Sequence, residues 1–409
     1  MPVLRPSGSD FTSFVKAAAQ YVPAGGGGKP SKSGGVPVAL PGLGAVVRTS
    51  QVGALASPTT SAVVINGVTP PAAVAAVAVV IRVLLGIVTT LAGSSQGFAD
   101  GTGTNASFNY PMGVAVIPSS GMIVVADTFN NRIRLVNPTS GVVTTLAGSS
   151  QGSVDGTGTG ANFYYPLSVA VIPSSGMIVV ADTFNNRIRL VNPASGVVTT
   201  LAGSGNYDFA DGTGTGASFR RPGAVAVTST GDIIVSDSDN HRIRLVTLAG
   251  VVTTLAGSGN YDFADGTGAG ASFRLPRGLA VTSTGVIVVA DAENNRIRLV
   301  TLAGVVTTLA GSSGGFADGT GTGATFASPT GVAITSSGVL VVSEQGNHRI
   351  RLVTYPGGVV TTFAGSGSPA FADGTGVAAS FNQPFSVAVT SSGAIVVVDH
   401  YNHRIRVIT

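Results

Sequence analysis

The acidic residues that could do chemistry in this chain recur in two repeated positions. One of them is the Asp of an Asp-Gly-Thr-Gly string, which occurs at Asp100, Asp155, Asp211, Asp265, Asp318 and Asp373. A calcium site needs about six to eight oxygen ligands and usually several carboxylates in one short segment, whereas each of these strings offers a single Asp between glycines. Asp-Gly is also a turn signal. The strings are therefore predicted to be turns and not calcium sites.

The second acidic position stands just before an Asn-rich turn that leads into an Arg-Ile-Arg strand. Its occupants are Asp127, Asp182, Asp237, Asp291, Glu344 and Asp399. The first arginines after the turn are Arg132, Arg187, Arg242, Arg296, Arg349 and Arg404. A carboxylate here can accept backbone N–H groups of the turn, and the arginine can reach back to a carboxylate or to free carbonyl oxygens. We predict a structural role for both positions, and we expect Asp182→Ala to destabilise its repeat by about 1 kcal/mol.

Few other side chains are candidates for catalysis. Three of the four histidines, His241, His348 and His403, fill a repeated position where the other copies carry Asn, and they are predicted to be turn residues. His400 is the exception and is predicted to be a surface residue beside a turn. The chain has no Cys, and no Ser stands with a His and an acid at a recognisable catalytic spacing. The sequence predicts no catalytic residue, no cofactor-binding residue, no cofactor and no metal ligand, and a protein that is not an enzyme.

All these positions belong to one unit that is repeated six times. The string Thr-Thr-[Leu/Phe]-Ala-Gly begins at Thr89, Thr144, Thr199, Thr253, Thr307 and Thr361, so that successive copies start 54 or 55 residues apart. In one copy, residues 113–117, 122–126, 132–136 and 142–146 are rich in β-branched residues and are separated by Gly, Pro, Ser or Asn. Four short strands with no crossover helix indicate an antiparallel sheet in each copy. The predicted fold is all-β, a six-bladed β-propeller of four-stranded blades.

The two ends of the repeat array are predicted to pair with each other. The sixth copy ends at Thr409 without its own Val-Val-Thr-Thr strand, and residues 87–91 precede the first complete copy. Pairing these segments would close the ring and remove its exposed sheet edges. A degenerate seventh blade, formed within residues 36–85, is the alternative to six blades.

The repeated strings carry a specific resemblance. The pattern Ala-Asp-[Thr/Ser/Ala]-x-Asn-[Asn/His]-Arg-Ile-Arg-[Leu/Val], followed by Gly-Val-Val-Thr-Thr-Leu-Ala-Gly and Phe-Ala-Asp-Gly-Thr-Gly, resembles the NHL repeat family of β-propellers over residues 86–409. The resemblance implies the six-bladed fold. It implies no single activity, because members of that family bind RNA or protein beside ubiquitin-ligase modules, or are secreted lyases or lactonase-like enzymes.

Strand order assigns the loops to two faces of the propeller. One face carries the Asn-[Asn/His]-Arg turns and the blade-to-blade loops, and we call it the Asn-Arg face. It also carries four arginines outside the repeated positions, Arg220, Arg221, Arg274 and Arg277, which could meet an acidic partner or a phosphate. Residues 86–409 hold 16 Arg, no Lys and 17 acids, a charge of −1, which disfavours a nucleic-acid partner. The opposite face is nearly uncharged, which suits packing against another protein.

The first 85 residues differ in composition from the repeats. Residues 1–35 are predicted to be a basic, Gly-rich arm with a short helix, and residues 36–85 an extended, β-rich segment. All three lysines, Lys16, Lys29 and Lys32, lie in the arm and are predicted interaction residues. No signal peptide is recognisable, and Arg82 interrupts the apolar run of residues 72–88, so no membrane span is predicted.

These patterns favour a non-enzymatic structural or docking propeller in a large protein assembly, anchored by its basic arm. A virus particle is one such assembly, and the expected localisation is the cytoplasm or the assembly itself. The expected partners are other proteins, which the arm and the neutral face would contact. Two alternatives stay open: an NHL-type lyase or lactonase-like enzyme with a metal on the axis, and a propeller that binds RNA or an acidic ligand.

Overall fold

The repeats fold into six sheets arranged in a ring. The computed structural model describes residues 38–39, 46–48, 64–66 and 86–409. Each sheet is one blade, and the innermost strands of consecutive blades contact one another, including those of the sixth and first blades. This confirms the predicted six-bladed propeller.

Within each blade the strands follow one another outward from the axis. The innermost strands are Gly113–Val116, Pro166–Val171, Pro222–Val227, Pro276–Val281, Pro329–Ile334 and Pro384–Val389. The second strands are Ile123–Asp127, Ile178–Asp182, Ile233–Asp237, Ile287–Asp291, Leu340–Glu344 and Ile395–Asp399. The third strands are Arg132–Val136, Arg187–Val191, Arg242–Val246, Arg296–Val300, Arg349–Val353 and Arg404–Ile408. The fourth strands are Val142–Ala147, Val197–Ala202, Val251–Ala256, Val305–Ala310, Val359–Ala364 and Ile87–Ala92.

The blades have five strands, so the predicted count of four is wrong. The additional edge strands are Gly101–Thr102, Gly156–Thr157, Gly212–Thr213, Gly266–Thr267, Gly319–Thr320 and Gly374–Thr375. Each one pairs with the beginning of the fourth strand of its blade, as Gly156 does with Val198. Two residues with no apolar alternation give no strand signal, because only the neighbouring strand makes them extended.

Short 3-10 helices occupy two repeated positions. One set follows the edge strands: Gly103–Asn105, Gly158–Gly160, Gly214–Gly216, Gly268–Gly270, Gly321–Gly323 and Gly376–Ala378. The other set follows the second strands: Thr128–Asn130, Thr183–Asn185, Ser238–Asn240, Ala292–Asn294 and His400–Asn402. In the part of the chain that the structure describes, no helix has the length and apolar character needed to cross a membrane.

The predicted closure of the ring is confirmed. Ile87–Ala92 is the fourth strand of the sixth blade and pairs antiparallel with Arg404–Ile408. The backbone N–H of Ile87 donates to the carbonyl oxygen of Thr409 at 3.0 Å, and the N–H of Thr409 donates to the carbonyl oxygen of Ile87 at the same distance. The beginning of the array thus completes its last blade.

A separate unit within residues 1–83 contains three short strands. Val38–Ala39, Val46–Arg48 and Val64–Asn66 form an antiparallel sheet in that order. The predicted arm of residues 1–35, with Lys16, Lys29 and Lys32, lies outside the described residues, as does the apolar run up to residue 85. The arm and its role as an anchor stay predictions.

The space between neighbouring blades is filled by repeated aromatic residues. The largest apolar side chains that are fully buried are Phe108, Phe163, Phe219, Phe273, Phe326 and Phe381. Phe108 packs with residues of its own blade and with Val396 and Ile405 of the sixth blade. Burying a whole aromatic ring contributes several kilocalories per mole at each junction, so these rings hold adjacent blades together.

Candidate binding site

Each blade contains a buried arginine that joins two carboxylates. In the second blade, Nη1 of Arg189 lies 2.7 Å from Asp182 and Nη2 lies 2.6 Å from Asp155. The same bridge joins Arg134 to Asp127 and Asp100, Arg244 to Asp237 and Asp211, Arg298 to Asp291 and Asp265, Arg351 to Glu344 and Asp318, and Arg406 to Asp399 and Asp373. The bridging residue is the second arginine of each pair, which the sequence analysis did not single out.

The inner carboxylate of the bridge is surrounded by hydrogen-bond donors. Asp182 is fully buried, and besides Arg189 it accepts from the backbone N–H of Tyr164 and from Nδ2 of Asn185, each at 2.8 Å. Burial raises the pKa of Asp182 to about 6, while Arg189 and these donors favour the charged form. The carboxylate is therefore ionised at neutral pH and is fully used by its own blade.

The outer carboxylate ties the Asp-Gly-Thr-Gly loop to the fourth strand. Asp100 accepts from the backbone N–H and the hydroxyl of Thr145, at 3.2 and 3.1 Å, in addition to Arg134. These oxygens face N–H and O–H donors, an arrangement that suits an arginine and not a metal ion. Among the described residues, no group of three or more His, Cys, Asp or Glu side chains is placed to hold a metal ion.

The first arginine of each pair lies nearer the surface, over the turn. Nη1 of Arg132 donates to the carbonyl oxygen of Asn130 at 2.7 Å, and its guanidinium lies 4.0 Å from the ring centre of Phe98. Arg242, Arg296, Arg349 and Arg404 make the same two contacts in their own blades. Arg187 instead donates to the carbonyl oxygen of Ser204, in the blade where Ser153 stands in place of the Phe.

The last residue of each Asn-rich turn forms a hydrogen bond to the neighbouring blade, and we call this contact the latch. Its backbone is left-handed, with φ between 53° and 55°, and its side chain accepts the backbone N–H that precedes the next blade's innermost strand. Oδ1 of Asn131 accepts from Tyr165 at 3.0 Å, and Nδ1 of His403 accepts from Tyr110 at 3.2 Å. His241 and His348 use Nδ1 in the same way. The structure thus places the three predicted turn histidines in turns and adds a bond across the blade junction.

These histidines give the fold a testable pH dependence. Burial lowers the pKa of His241, His348 and His403 below about 6.5, the value in an unfolded chain. Each ring accepts through Nδ1 only while that nitrogen is unprotonated. The folded state then binds fewer protons than the unfolded state. Stability from the latches is therefore complete above that unfolded value and is lost as the pH falls through the lower, folded pKa.

The matched variant replaces all three histidines by Asn, which the other copies carry. Asn keeps an acceptor at the same distance along the side chain but does not titrate. Between about pH 8 and pH 5, the unfolding free energy of wild type should fall relative to that of the variant, in urea denaturation. Parallel pH curves for the two proteins would show that the latches do not titrate.

His400 is buried, so the prediction of a surface residue is wrong. Its ring packs against Tyr110, Tyr401 and Phe385, and its Nδ1 lies 3.0 Å from the carbonyl oxygen of Pro111. Because a carbonyl can only accept, Nδ1 carries the proton. Burial lowers the pKa of His400 to about 4. It joins the sixth blade to the first, and the sequence alone gives no sign of this because no other copy has His there.

The six copies diverge where their innermost strands begin. A proline recurs at this point in all six copies, and the residue after it differs in every blade: Met112, Leu167, Gly223, Arg277, Thr330 and Phe385. All six line a narrow axial space of about 60 Å³. The sequence analysis missed this set, although the signal was present, since every other inward position repeats nearly the same residue type.

Above this space, the Asn-Arg face opens into a larger cavity of about 450 Å³. We call it the channel mouth. It is lined by Met112, Thr128, Phe129, Tyr165, Leu167, Thr183, Phe184, Arg221, Gly223, Ser238, Asp239, Leu275 and Arg277. These residues come from four of the six blades.

One wall of the channel mouth is a continuous row of aromatic rings. The ring centre of Phe129 lies 4.6 Å from that of Tyr165, which lies 4.9 Å from that of Phe184. Phe129 and Phe184 are 42% and 37% exposed. Tyr165 also has a left-handed backbone, with φ of 47°, as do Arg221 and Leu275 in the same repeated position. This position is left-handed in all six blades, so the conformation belongs to the repeat.

Two of the four predicted interaction arginines line the channel mouth. The guanidinium of Arg221 lies 4.7 Å from the ring centre of Phe184 and 3.5 Å from Asp239. Arg277 lies 5.6 Å from the ring centre of Phe385. Arg220 and Arg274 are on the same face but outside the cavity, where they lie over Tyr207 and Tyr261. The structure therefore brings Arg221 and Arg277 together and leaves the other two apart.

Comparison with known proteins identifies the repeat. A family model described as the NHL repeat matches residues 219–244, 273–298, 326–351 and 381–408. Each match covers the innermost and second strands of one blade and at least the beginning of the third. The chain belongs to the NHL repeat β-propellers. Its resemblance to that family, expected from the sequence, is confirmed.

Curated relatives of this NHL propeller are longer proteins. NHL repeat-containing protein 2 of Gallus gallus is 28% identical over 338 residues, which cover 73% of this chain and 46% of the relative. The chloroplastic protein SUPPRESSOR OF QUENCHING 1 of Arabidopsis thaliana is 31% identical over 277 residues, which cover 63% of this chain and 26% of the relative. The chain thus spans less than half the length of either relative.

A solved structure shares the architecture of this NHL propeller. It is a protein of unknown function from Bacteroides thetaiotaomicron VPI-5482, with a TM-score of 0.63 and 20% identity, covering 78% of this chain and 75% of the other. At this identity the likeness shows the fold alone.

Proposed function

We propose that this NHL propeller is a non-enzymatic docking protein that holds another protein of a larger assembly at the channel mouth. The observation that carries the proposal is the contrast between the repeated and the divergent residues. The repeated charges are paired inside their own blades, as Asp182 is with Arg189. Four of the six residues that differ between blades, Met112, Leu167, Gly223 and Arg277, meet in one cavity of about 450 Å³, a volume typical of binding sites.

The side chains at the axis suit binding better than metal-assisted catalysis. The functional groups that line the axial space are the guanidinium of Arg277 and the hydroxyls of Ser168, Thr330 and Ser386, and no carboxylate or imidazole is among them. An axial metal of the lyase or lactonase type needs such ligands from several blades. The described residues of this site therefore do not fit that metal.

The proposal assigns recognition to the channel mouth and not to the neutral face. The opposite face presents Leu248 and Leu302, about half exposed, beside the single acid Asp232. Its loops are nearly alike in every blade, so they offer little to distinguish one partner from another. Anchoring through the basic arm and incorporation into a virus particle are more specific versions of the same hypothesis.

The four arginines of the Asn-Arg face support RNA binding less well. Arg221 and Arg277 lie in the channel mouth, and Arg220 and Arg274 lie on aromatic rings outside it. A nucleic-acid platform needs several free cations spaced along a phosphate backbone. The channel mouth offers a compact site.

The test compares two double variants that remove the same charge from the same face. In native extracts of the source cells, the wild-type chain should elute in size-exclusion chromatography well above the 40.4 kDa of a monomer. Replacing Arg221 and Arg277 by Gln should return most of it to the monomer position. Replacing Arg220 and Arg274 by Gln should leave the complex intact. A wild-type chain that elutes as a monomer would contradict the docking function.

A further inference from the structure

We propose that the channel mouth binds a peptide segment in which a carboxylate stands next to an apolar side chain. The proposal rests on the docking function and specifies the ligand of that site. The carboxylate would pair with Arg277 and Arg221, and the apolar side chain would lie on the rings of Phe129, Tyr165 and Phe184.

Arg277 is a cation without a partner at the centre of the site. Among the residues that the structure describes, none lies within hydrogen-bond or ion-pair distance of its guanidinium, and its recorded contact is with the ring of Phe385. Burial lowers the pKa of Arg277, with Glu293 and Asp239 opposing the change from farther away. An arginine stays protonated at neutral pH even so. An unpaired guanidinium inside a cavity favours an anionic ligand, which restores the interactions lost with water.

Arg221 supplies a second cation at the edge of the same cavity. Its side chain is 49% exposed, and its contact with Asp239 is a long one, at 3.5 Å. An exposed ion pair of this kind contributes little, so Arg221 can turn toward a ligand at small cost. Asp239 keeps the second partner it already has, the hydroxyl of Tyr207 at 2.7 Å. The cavity lining therefore carries two arginines against one carboxylate.

The aromatic wall favours a ligand that carries an apolar side chain next to its carboxylate. Phe129 and Phe184 are exposed in a row with Tyr165, and Met112, Leu167 and Leu275 complete an apolar lining. Rigid aromatic surfaces of this kind provide most of the binding energy at protein interfaces. A free phosphate would leave this wall in water, whereas an aromatic or aliphatic side chain would cover it.

The carboxylate could come from an acidic side chain or from a chain terminus, and the experiment separates the two. Fluorescein-labelled Gly-Ser peptides with blocked ends would carry Phe-Glu, Phe-Gln or Ala-Glu at their centre. A further pair would end in Phe, with a free carboxylate or an amide. Fluorescence anisotropy with the full chain would give a dissociation constant for each peptide.

We expect the Phe-Glu peptide or the free-terminus peptide to bind, which identifies the source of the carboxylate. The Phe-Gln, Ala-Glu and amide forms should bind at least about tenfold more weakly. Arg277→Gln should weaken binding by at least about tenfold, and Phe129→Ala should do so independently if Arg277→Gln does not fold. Arg274→Gln, outside the cavity, should have no effect.

Equal binding within both pairs, Phe-Glu with Phe-Gln and the free terminus with the amide, or no effect of either channel-mouth variant, would overturn the proposal. So would a short single-stranded RNA that binds through Arg277 when none of the peptides does. If the peptides fail while the complex in native extracts still depends on Arg221 and Arg277, the ligand chemistry is wrong and the docking function stands. If that complex is absent as well, both fail.

Discussion

Asp182→Ala is expected to lower the free energy of unfolding by about 3–5 kcal/mol, well above the 1 kcal/mol scale of a surface turn. The substitution removes the inner carboxylate of the bridge from a fully buried position. Arg189 then loses one of its two counter-charges, and the N–H of Tyr164 and the amide of Asn185 lose their acceptor. Urea denaturation measures the effect, since guanidinium chloride would screen the ion pair.

Asp155→Ala is the matched control for this substitution. Asp155 pairs with the same arginine in the same blade at 2.6 Å, but its side chain is 48% exposed. Water can replace it, so the expected loss is at most about 1 kcal/mol. Equal losses for Asp155→Ala and Asp182→Ala would mean that burial of the inner carboxylate does not decide the energy of the bridge.

Removal of the closing strand is expected to have the second large effect. A chain that begins at Gly86 keeps Ile87–Ala92, whereas one that begins at Ser94 lacks it. The shorter chain exposes the edge of Arg404–Ile408, the last strand of the ring, and leaves Asp373 without Thr90. Its Tm should be about 10 °C lower or more, because several backbone hydrogen bonds and the buried Val88 are lost together. Differential scanning calorimetry of the two chains gives the comparison.

An exposed strand edge should also change the association state of the shorter chain. Unpaired N–H and C=O groups of Arg404–Ile408 can pair with another molecule, so the chain from Ser94 should form oligomers in size-exclusion chromatography. The chain from Gly86 should not form oligomers by that route. If the two chains melt at the same temperature and elute alike, the first strand does not hold the ring closed.

Much of the architecture could be predicted from local sequence patterns. The strands of residues 122–126 and 132–136 were predicted within one residue of Ile123–Asp127 and Arg132–Val136, because β-branched runs between turn residues reflect local preference. The edge strand Gly101–Thr102 was missed because it is extended only through its neighbour. The role of Arg134 was also missed, since Arg132 and Arg134 look alike in sequence and only the fold shows that Arg132 lies over the turn while Arg134 is fully buried between two carboxylates.

The sequence by itself determined the six repeats, their strands, the pairing of the chain's two ends and the membership of a propeller family. The repeats, their strands and the pairing of the ends follow from periodicity, which is visible in one dimension, whereas the family follows from the resemblance of the repeated strings. The tertiary structure alone decided that Arg221 and Arg277 share a cavity while Arg220 and Arg274 do not, and that His400 is buried. Copies about 54 residues apart meet around an axis, so divergent residues become neighbours only when the ring closes.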